Sequence, residues 1–297
     1  PDVDKLHKGI NLPDCIKFNG KLRDAQKAPV AAYLKCARDP FKRGGLLNLP
    51  CAFGKTSLSL YIATILHKKT LVIVHKDFLL NQWKQRIQQF IPTARIGIVK
   101  AQIIDIENKD IVIASLQSLA MKDYDNGTFD EFGFVIIDEV HHIGSEVFSR
   151  ALNKVNFQYS LGLSATMTRK DGLSKVFKWY LGDIVYKFIR KNKDNVNVQI
   201  YNYYSDSGLY NEECTIYNGK LNCARMINNI CAFNERTMEI VKIISQIKYN
   251  NPNRNILLLS DRREHLRTLK KYCDTLKHPN IKEIGYYVGG MKEIEMK

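Results

Sequence analysis

The chain has 297 residues, and its 45 lysine and arginine residues against 30 aspartate and glutamate residues give it a formal charge of +15 at pH 7. This length predicts two domains, each large enough to bury a core. The charge indicates a polyanionic partner, nucleic acid before a membrane surface, with a solvated basic face as the alternative. No apolar run approaches the ~18 residues of a membrane span, and the first ten residues lack the apolar centre of a signal peptide, so we expect no membrane association.

The seven cysteines include no C-x-x-C pair, and their odd number does not suggest a disulfide framework. Reduced thiols are typical of an intracellular, reducing compartment. Cys214, Cys223 and Cys231 lie close together in the sequence. Their spacing matches no common zinc finger, so free thiols are favoured over a metal site.

Short apolar runs alternate with helical patterns over the first part of the chain. Runs that are apolar on both faces are typical of a sheet covered on both sides. Because helical stretches such as SLSLYIATILH and FLLNQWKQRIQQF lie between them, we predict an α/β fold with a parallel, doubly wound sheet. The predicted strands are GLLNL (45–49), TLVIV (70–74), RIGIV (95–99), DIVIAS (110–115), FGFVIID (132–138) and SLGLSAT (160–166).

A basic, asparagine-rich and irregular stretch follows this sheet and is interpreted as a connector. The chain is therefore divided into a first α/β lobe (1–190), a connector (191–230) and the start of a second α/β lobe (231–297). The second lobe is too short to close a core. Its predicted elements are a helix around 225–248, the strand NILLLS (255–260), the helix REHLRTLKKYCDTL and the strand IGYYVG.

The stretch LLNLPCAFGKTSLSLYIATIL (46–66) begins as a buried strand and ends as an apolar-faced helix. Gly54, Lys55 and Thr56 lie between the two, where N–H groups at a helix N-terminus converge on phosphate oxygens. In such a loop the lysine neutralises the β- and γ-phosphates and the threonine ligates Mg²⁺. Leu49 and Ala52 stand where glycines are usual, so a plain turn is the alternative for the loop alone. The predicted cofactor-binding loop comprises Pro50, Cys51, Ala52, Phe53, Gly54, Lys55, Thr56 and Ser57.

Two adjacent carboxylates, Asp138 and Glu139, end the apolar run FGFVIIDEVHH. In open α/β folds the carboxyl edge of the sheet is where ligands bind. Asp138 is predicted to hold magnesium together with Thr56, and Glu139 to orient or deprotonate the attacking water, with Lys55 as the third catalytic residue. Capping of the next helix is the alternative role for these carboxylates. The presence of Gly54-Lys55-Thr56 in the same chain favours a nucleotide site.

With these two motifs the chain resembles the superfamily 2 helicases and translocases, in which DEVH would be the Walker B box. Further matches follow in the family's order: LRDAQ (22–26), LVIVHKDFLLNQW, IASLQSL (113–119) and SAT (164–166). LPC before the loop, SATMTRKDG, ILLLSDRREHLRTL and GYYVGGMK look most like the XPB-like group, especially its viral and phage members. The resemblance implies two RecA-like lobes, of which the second is incomplete here. The departures are LPCAFGK in place of LPCGAGK, and Arg169-Lys170-Asp171 in place of Arg-Glu-Asp.

The resemblance also implies roles for individual residues. Gln26, with Arg23 beside it, would read adenine in the cofactor site. The residues implied to couple nucleotide state to the grip on nucleic acid are His141, Ser164, Ala165 and Thr166. The residues implied to contact nucleic acid are His75, Lys76, Gln82, Trp83, Ser115, Gln117, Ser118 and Arg262. For Arg262, a solvated helix start is an equal alternative.

These matches imply an ATP- and Mg²⁺-dependent helicase or translocase acting on a single strand or tailed duplex, with DNA favoured over RNA. A double-strand translocase that does not unwind, and a nucleic-acid-binding module with a regulatory nucleotide site, are the alternatives. We expect a monomer, with transcription or replication factors as further partners, in a host cytoplasm or virus factory if the protein is viral, and otherwise in nucleus or cytoplasm. Because the chain lacks an initiating methionine and motifs V and VI, we expect a fragment without arginine fingers that binds ATP and nucleic acid weakly and does not unwind.

Overall fold

The computed structural model describes residues 8–140, 145–166, 174–189, 197–281 and 283–288. It divides into two compact units, Pro1–Lys193 and Asp194–Lys297. Each unit is described separately. The assignment of 191–230 as a connector between two lobes stays a prediction.

The first unit is built on one eight-stranded sheet with the order β4-β3-β5-β2-β6-β7-β1-β8. Its pairs are parallel except for the antiparallel contact of β3 with β4. The predicted α/β fold with a parallel sheet is therefore confirmed. The strands are β1 (Gly44–Asn48), β2 (Thr70–Val74), β3 (Ile96–Lys100), β4 (Ile103–Ile104), β5 (Ile111–Ser115), β6 (Phe134–Ile137), β7 (Tyr159–Ser164) and β8 (Ile184–Lys187).

Helices cover both faces of this sheet, which is why its central strands are apolar throughout. In β2, for example, Val72 and Val74 belong to one hydrophobic cluster while Leu71 and Ile73 belong to the other. The helices of the first unit are α1 (Asp24–Ala37), α2 (Lys55–Leu66), α3 (Asp77–Phe90), α4 (Leu116–Met121), α5 (Ser145–Leu152) and α6 (Ser174–Leu181). In the described part of the chain, no helix has the length and apolar character to cross a membrane.

The register of the parallel strands brings several strand ends to one edge of the sheet. Asn48 at the end of β1 lies beside Ser164 at the end of β7. Ile73 in β2 lies beside Ile137 in β6. The loops that follow these four strands therefore leave the sheet along the same edge.

The second unit contains α7 (Cys223–Ala232), α8 (Asn234–Asn250) and α9 (Arg263–Leu276). The predicted helix at 225–248 is thus two helices, and the other predicted helix has the bounds of α9. Within the described residues, 255–260 and the IGYYVG segment form no strand, which corrects both predictions. A strand needs a hydrogen-bonded neighbour, and Leu257 and Leu259 are instead 82% and 84% exposed.

The strand β8 was missed by sequence reasoning. It pairs in parallel with β1 at the end of the sheet, with a register irregularity between Leu46 and Leu47. Its four residues are exposed or half-buried. A short edge strand of this kind lacks the continuous apolar run that identified the central strands.

Candidate functional site

The loop between β1 and α2 requires a glycine at its last position. Gly54 has a φ of 82° and immediately precedes the first residue of α2, Lys55. A Cβ atom added to Gly54 would lie 2.5 Å from Nε2 of Gln26 and 2.8 Å from Nη2 of Arg23. In the described chain no side chain caps α2. The first N–H groups of α2, which have no partner within a helix, therefore face the loop.

Ala52 also has a left-handed backbone, with a φ of 60°. The left-handed region brings Cβ close to the following carbonyl oxygen and costs roughly 1–2 kcal/mol for a residue other than glycine. The substitution Ala52→Gly is therefore expected to raise the free energy of unfolding of the first unit by about 0.5–1 kcal/mol, the strain released less the entropy lost by glycine. Urea unfolding followed by circular dichroism measures this change.

The matched control is Ala63→Gly, in the buried face of α2. Glycine in a helix interior lowers stability by about 1 kcal/mol, so the two substitutions are expected to have opposite signs. A loss of stability in Ala52→Gly would show that the left-handed loop position is not strained.

Arg23 and Gln26 hold the carbonyl groups of the same loop. Gln26 is 2% exposed, and its Nε2 lies 3.2 Å from each of the Phe53 oxygen, the Gly54 oxygen and the Ser57 hydroxyl. Its Oε1 accepts the Arg23 backbone N–H at 2.8 Å. The Arg23 guanidinium donates to the carbonyl oxygens of Ala52 and Phe53. The predicted adenine-reading glutamine thus positions the loop here, and its contact with adenine stays a prediction.

The side chains of Lys55, at the start of α2, and Glu139, after β6, form an ion pair beside the loop. The Nζ atom of Lys55 donates to Oε1 of Glu139 at 2.6 Å, across 84 residues of sequence. The two side chains are 10% and 22% exposed. Glu139 has a left-handed backbone with a φ of 49°, an uncommon conformation for this residue type that concentrates at functional sites. The structure therefore brings together two of the three residues predicted to be catalytic.

Asp138, the third of these residues, is only 6% exposed. Its Oδ1 accepts the backbone N–H of Glu139 at 2.9 Å, and its Oδ2 accepts the indole N–H of Trp83 at 2.9 Å. Burial raises the pKa of the Asp138 carboxyl above its ordinary value, and the nearby charge of Glu139 acts in the same direction. The Trp83 N–H and the Lys55 charge oppose this shift. These donors and the lysine charge favour the ionised carboxylate that a metal requires.

The SAT segment contacts the start of the loop through the main chain. The Leu49 N–H donates to the Ser164 carbonyl oxygen at 2.9 Å. The Ser164 hydroxyl closes a turn over Ala165, with contacts of 2.5 Å to the Thr166 oxygen and 3.2 Å to the Thr166 nitrogen. The fourth residue predicted to couple the sites, His141, lies outside the described residues.

Within the first unit, the residues predicted to contact nucleic acid differ in their exposure. Lys76, Gln82 and Gln117 are exposed, whereas His75 and Ser118 are half-buried and Ser118 accepts the Ala101 N–H at 2.8 Å. Those that are poorly placed for such a contact are Ser115, which is 5% exposed, and Trp83, which is 1% exposed. For Trp83 the predicted contact is wrong, because its ring is buried and its N–H donates to Asp138.

Arg262 belongs to the second unit, where it precedes α9. Its guanidinium donates to the Asn228 side chain at 2.5 Å and to the Ala224 carbonyl oxygen at 3.4 Å. These contacts attach the start of α9 to α7. A contact of Arg262 with nucleic acid stays a prediction.

Sequence reasoning missed the role of Trp83 at this site. A signal was present, because Leu79, Leu80, Trp83 and Ile87 follow the spacing of one buried helix face. That spacing places Trp83 inside the protein. It does not identify Asp138 as the acceptor.

The donor set fits a magnesium ion held together with a nucleotide. The described residues contain no group of three or more His, Cys, Asp and Glu residues arranged to hold a metal on their own. Magnesium needs no such group, since it is commonly bound by one or two carboxylates together with substrate phosphates and water. Asp138 and Thr56 are the carboxylate and hydroxyl that this mode of binding uses.

Comparison with known proteins connects the chain to one family. The family described as "Type III restriction enzyme, res subunit" matches residues 19–169. This range contains α1, the loop, the Asp138-Glu139 pair and the SAT segment. The loop, the DEVH box and the SAT segment, on which the resemblance was partly based, thus lie within the matched region.

Similar proteins include ones from a virus, an archaeon and a phage. The ATP-dependent RNA helicase candidate L396 of Acanthamoeba polyphaga mimivirus is 33% identical over 302 residues, which cover 100% of this chain and 56% of that protein. The DNA 3'-5' translocase XPB2 of Sulfurisphaera tokodaii is 32% identical, with 69% of this chain and 44% of that protein covered. The chain spans about half the length of these relatives. Among solved structures, the UvsW helicase of bacteriophage T4 matches with a TM-score of 0.48 and 19% identity, over 62% of this chain and 66% of that chain.

Proposed function

We propose that this chain, which belongs to the type III restriction enzyme res-subunit family and to the superfamily 2 helicases that its motifs resemble, carries the ATP site of a motor acting on DNA. The observation that carries the proposal is the 2.6 Å contact between Lys55 and Glu139, with Asp138 next to it. A lysine that binds phosphate and a carboxylate that activates water must lie within a few ångströms of one γ-phosphate. Lys55 and Glu139, 84 residues apart in sequence, lie close enough to each other to act on the same phosphate.

The nucleotide would be held by the loop and the start of α2. The N–H groups at the start of α2 would face the phosphates, and Lys55 would neutralise them. Magnesium, when bound, neutralises charge on the β- and γ-phosphate oxygens; Thr56 and Asp138 would hold it. Because the phosphate competes with Glu139 for Lys55, nucleotide binding would release the Glu139 carboxylate to orient or deprotonate water.

DNA is proposed as the substrate on the basis of the names of the relatives. The archaeal relative is named as a DNA translocase, whereas the mimiviral relative is named as an RNA helicase candidate. The formal charge of +15 suits either polyanion. DNA is chosen because other relatives are DNA repair and transcription subunits of the XPB type.

Translocation along a duplex without unwinding is a second candidate. It is favoured by the name of the archaeal relative, which is a translocase. A nucleic-acid-binding module with a regulatory nucleotide site has less support, because the paired Lys55 and Glu139 are the groups that hydrolysis needs. We also propose an intracellular, reducing location, in line with seven free cysteines, and a monomer that works with transcription or replication factors.

ATP turnover by the protein, measured with and without nucleic acid, tests the proposal. Single-stranded DNA, a tailed duplex, a blunt duplex and the matching RNAs are compared at one salt concentration, because such affinities depend strongly on salt. In a version of the protein that carries both lobes in full, we expect stimulation by DNA above that by RNA, together with strand separation of the tailed duplex. Stimulation by the blunt duplex without strand separation would favour the translocase. Nucleotide binding without turnover under any of these conditions would favour the regulatory module.

A further inference from the structure

Trp83 connects α3 to the candidate nucleotide site through one buried hydrogen bond. Its side chain is 1% exposed. The indole N–H donates to Oδ2 of Asp138 at 2.9 Å, across 55 residues of sequence. Tryptophan is a donor only, and a buried indole N–H needs a partner. Asp138 is therefore the group that satisfies it.

The hydrogen bond has a directional effect on Asp138. The backbone N–H of Glu139 donates to Oδ1, while the Trp83 indole donates to Oδ2 from another element of the fold. Two donors on the two oxygens hold the plane of a carboxylate that would otherwise rotate about its side-chain bonds. Each oxygen keeps a further lone pair with which to accept another partner.

We propose that Trp83 is a positioning residue for Asp138, whose carboxylate it holds in the orientation that receives the magnesium ion of the nucleotide. This inference rests on the proposed function. It differs from a core-packing role, because packing needs only the ring, whereas positioning needs the N–H. Groups that orient a metal ligand typically affect metal affinity by about 10–100-fold.

The placement of α3 gives this contact a second consequence. The buried face of α3 includes Leu79, Leu80 and Trp83, while Gln82 is exposed beside Trp83 and Lys76 is exposed just before the helix. A displacement of α3 by a ligand on its exposed face would therefore change the donor to Asp138. The helix predicted to contact nucleic acid thus supplies a hydrogen-bond donor to Asp138 of the candidate nucleotide site.

Trp83→Phe is the variant that separates the two roles, because phenylalanine keeps a buried ring and removes the donor. ADP binding is measured by calorimetry over a series of Mg²⁺ concentrations and in EDTA. We expect the Mg²⁺ concentration for half-maximal enhancement of binding to rise about tenfold, with ADP affinity in EDTA unchanged. The control is Trp179→Phe, at a position that is 78% exposed, for which no change is expected.

A second measurement leaves Trp83 in place. The chain has two tryptophans, so in Trp179→Phe the emission comes from Trp83 alone. Addition of ADP with Mg²⁺ is expected to change this emission, whereas ADP in EDTA is not, and Asp138→Ala is expected to remove the response. This measurement keeps its value if Trp83→Phe does not fold.

The outcomes distinguish failure of this inference from failure of the proposed function. Mg²⁺-dependent ADP binding that is the same in the unchanged protein and in Trp83→Phe would overturn the positioning role alone. An emission that does not respond to ADP with Mg²⁺, although calorimetry detects binding, would do the same. If the unchanged protein binds no nucleotide, the proposed function fails and this inference fails with it.

Discussion

Replacing Lys55 with alanine is expected to weaken ATP binding by about a hundredfold or more, because the variant loses a charged hydrogen-bond donor to the phosphates. No other residue of α2 could replace the charge of Lys55, because the rest of the helix, TSLSLYIATIL, contains no charged side chain. The variant also removes the Lys55 charge beside the partly buried Glu139 carboxylate, so the site becomes less favourable to a negatively charged phosphate. Calorimetry with ATP in the presence of Mg²⁺ measures the loss.

Lys27→Ala is the matched control for this loss. Lys27 is also paired with a carboxylate, that of Asp24 at 2.8 Å, but its side chain is 65% exposed and lies on α1. Its removal is expected to leave ATP affinity unchanged. Near-normal affinity in Lys55→Ala would mean that the phosphates bind elsewhere on the protein.

Replacing Glu139 with glutamine is expected to slow ATP hydrolysis by a factor of about 10²–10⁴ while nucleotide binding persists. The glutamine amide oxygen can still accept from Lys55 Nζ, so the geometry of the loop is kept. What is lost is the carboxylate that orients or deprotonates water. Single-turnover hydrolysis and calorimetry on the same variant measure the two effects separately.

The control for Glu139→Gln is Glu131→Gln. This is the same chemical change in another lysine–glutamate pair, in which Lys69 contacts Glu131 at 2.5 Å. Lys69 immediately precedes β2, at the edge of the sheet opposite to the site. ATP turnover by the Glu131→Gln variant is expected to equal that of the unchanged protein. If Glu139→Gln also turned over normally, the base would have to be another residue.

Two features were predictable from the sequence: the central strands of the sheet, and the combination of the loop with the Asp138-Glu139 carboxylates. Runs such as TLVIV have no polar position, and only a strand covered on both faces suits such a run. Gly54-Lys55-Thr56 and Asp138-Glu139 were recognisable because each follows an apolar strand. Parallel strands end at the same edge of the sheet. The proximity of these two motifs therefore followed from the sheet topology.

The remaining features depend on contacts that no local pattern records. The Trp83 indole was assigned to a surface role because it follows Gln82 in a known motif, whereas its donor role depends on an acceptor 55 residues away. The segment 255–260 has the composition of a strand, but composition does not supply a neighbour with which to form hydrogen bonds. The contacts of Gln26 with the carbonyl groups of the loop were likewise not predicted from the sequence.

The contact between Leu49 and Ser164 joins two motifs through main-chain atoms only. Mutation of a side chain other than to proline leaves both the N–H and the carbonyl group in place. The hydrogen bond between the start of the loop and the SAT turn is therefore insensitive to side-chain substitution at either position. Divergence of the side chains at these two positions is therefore a poor guide to whether this hydrogen bond is kept.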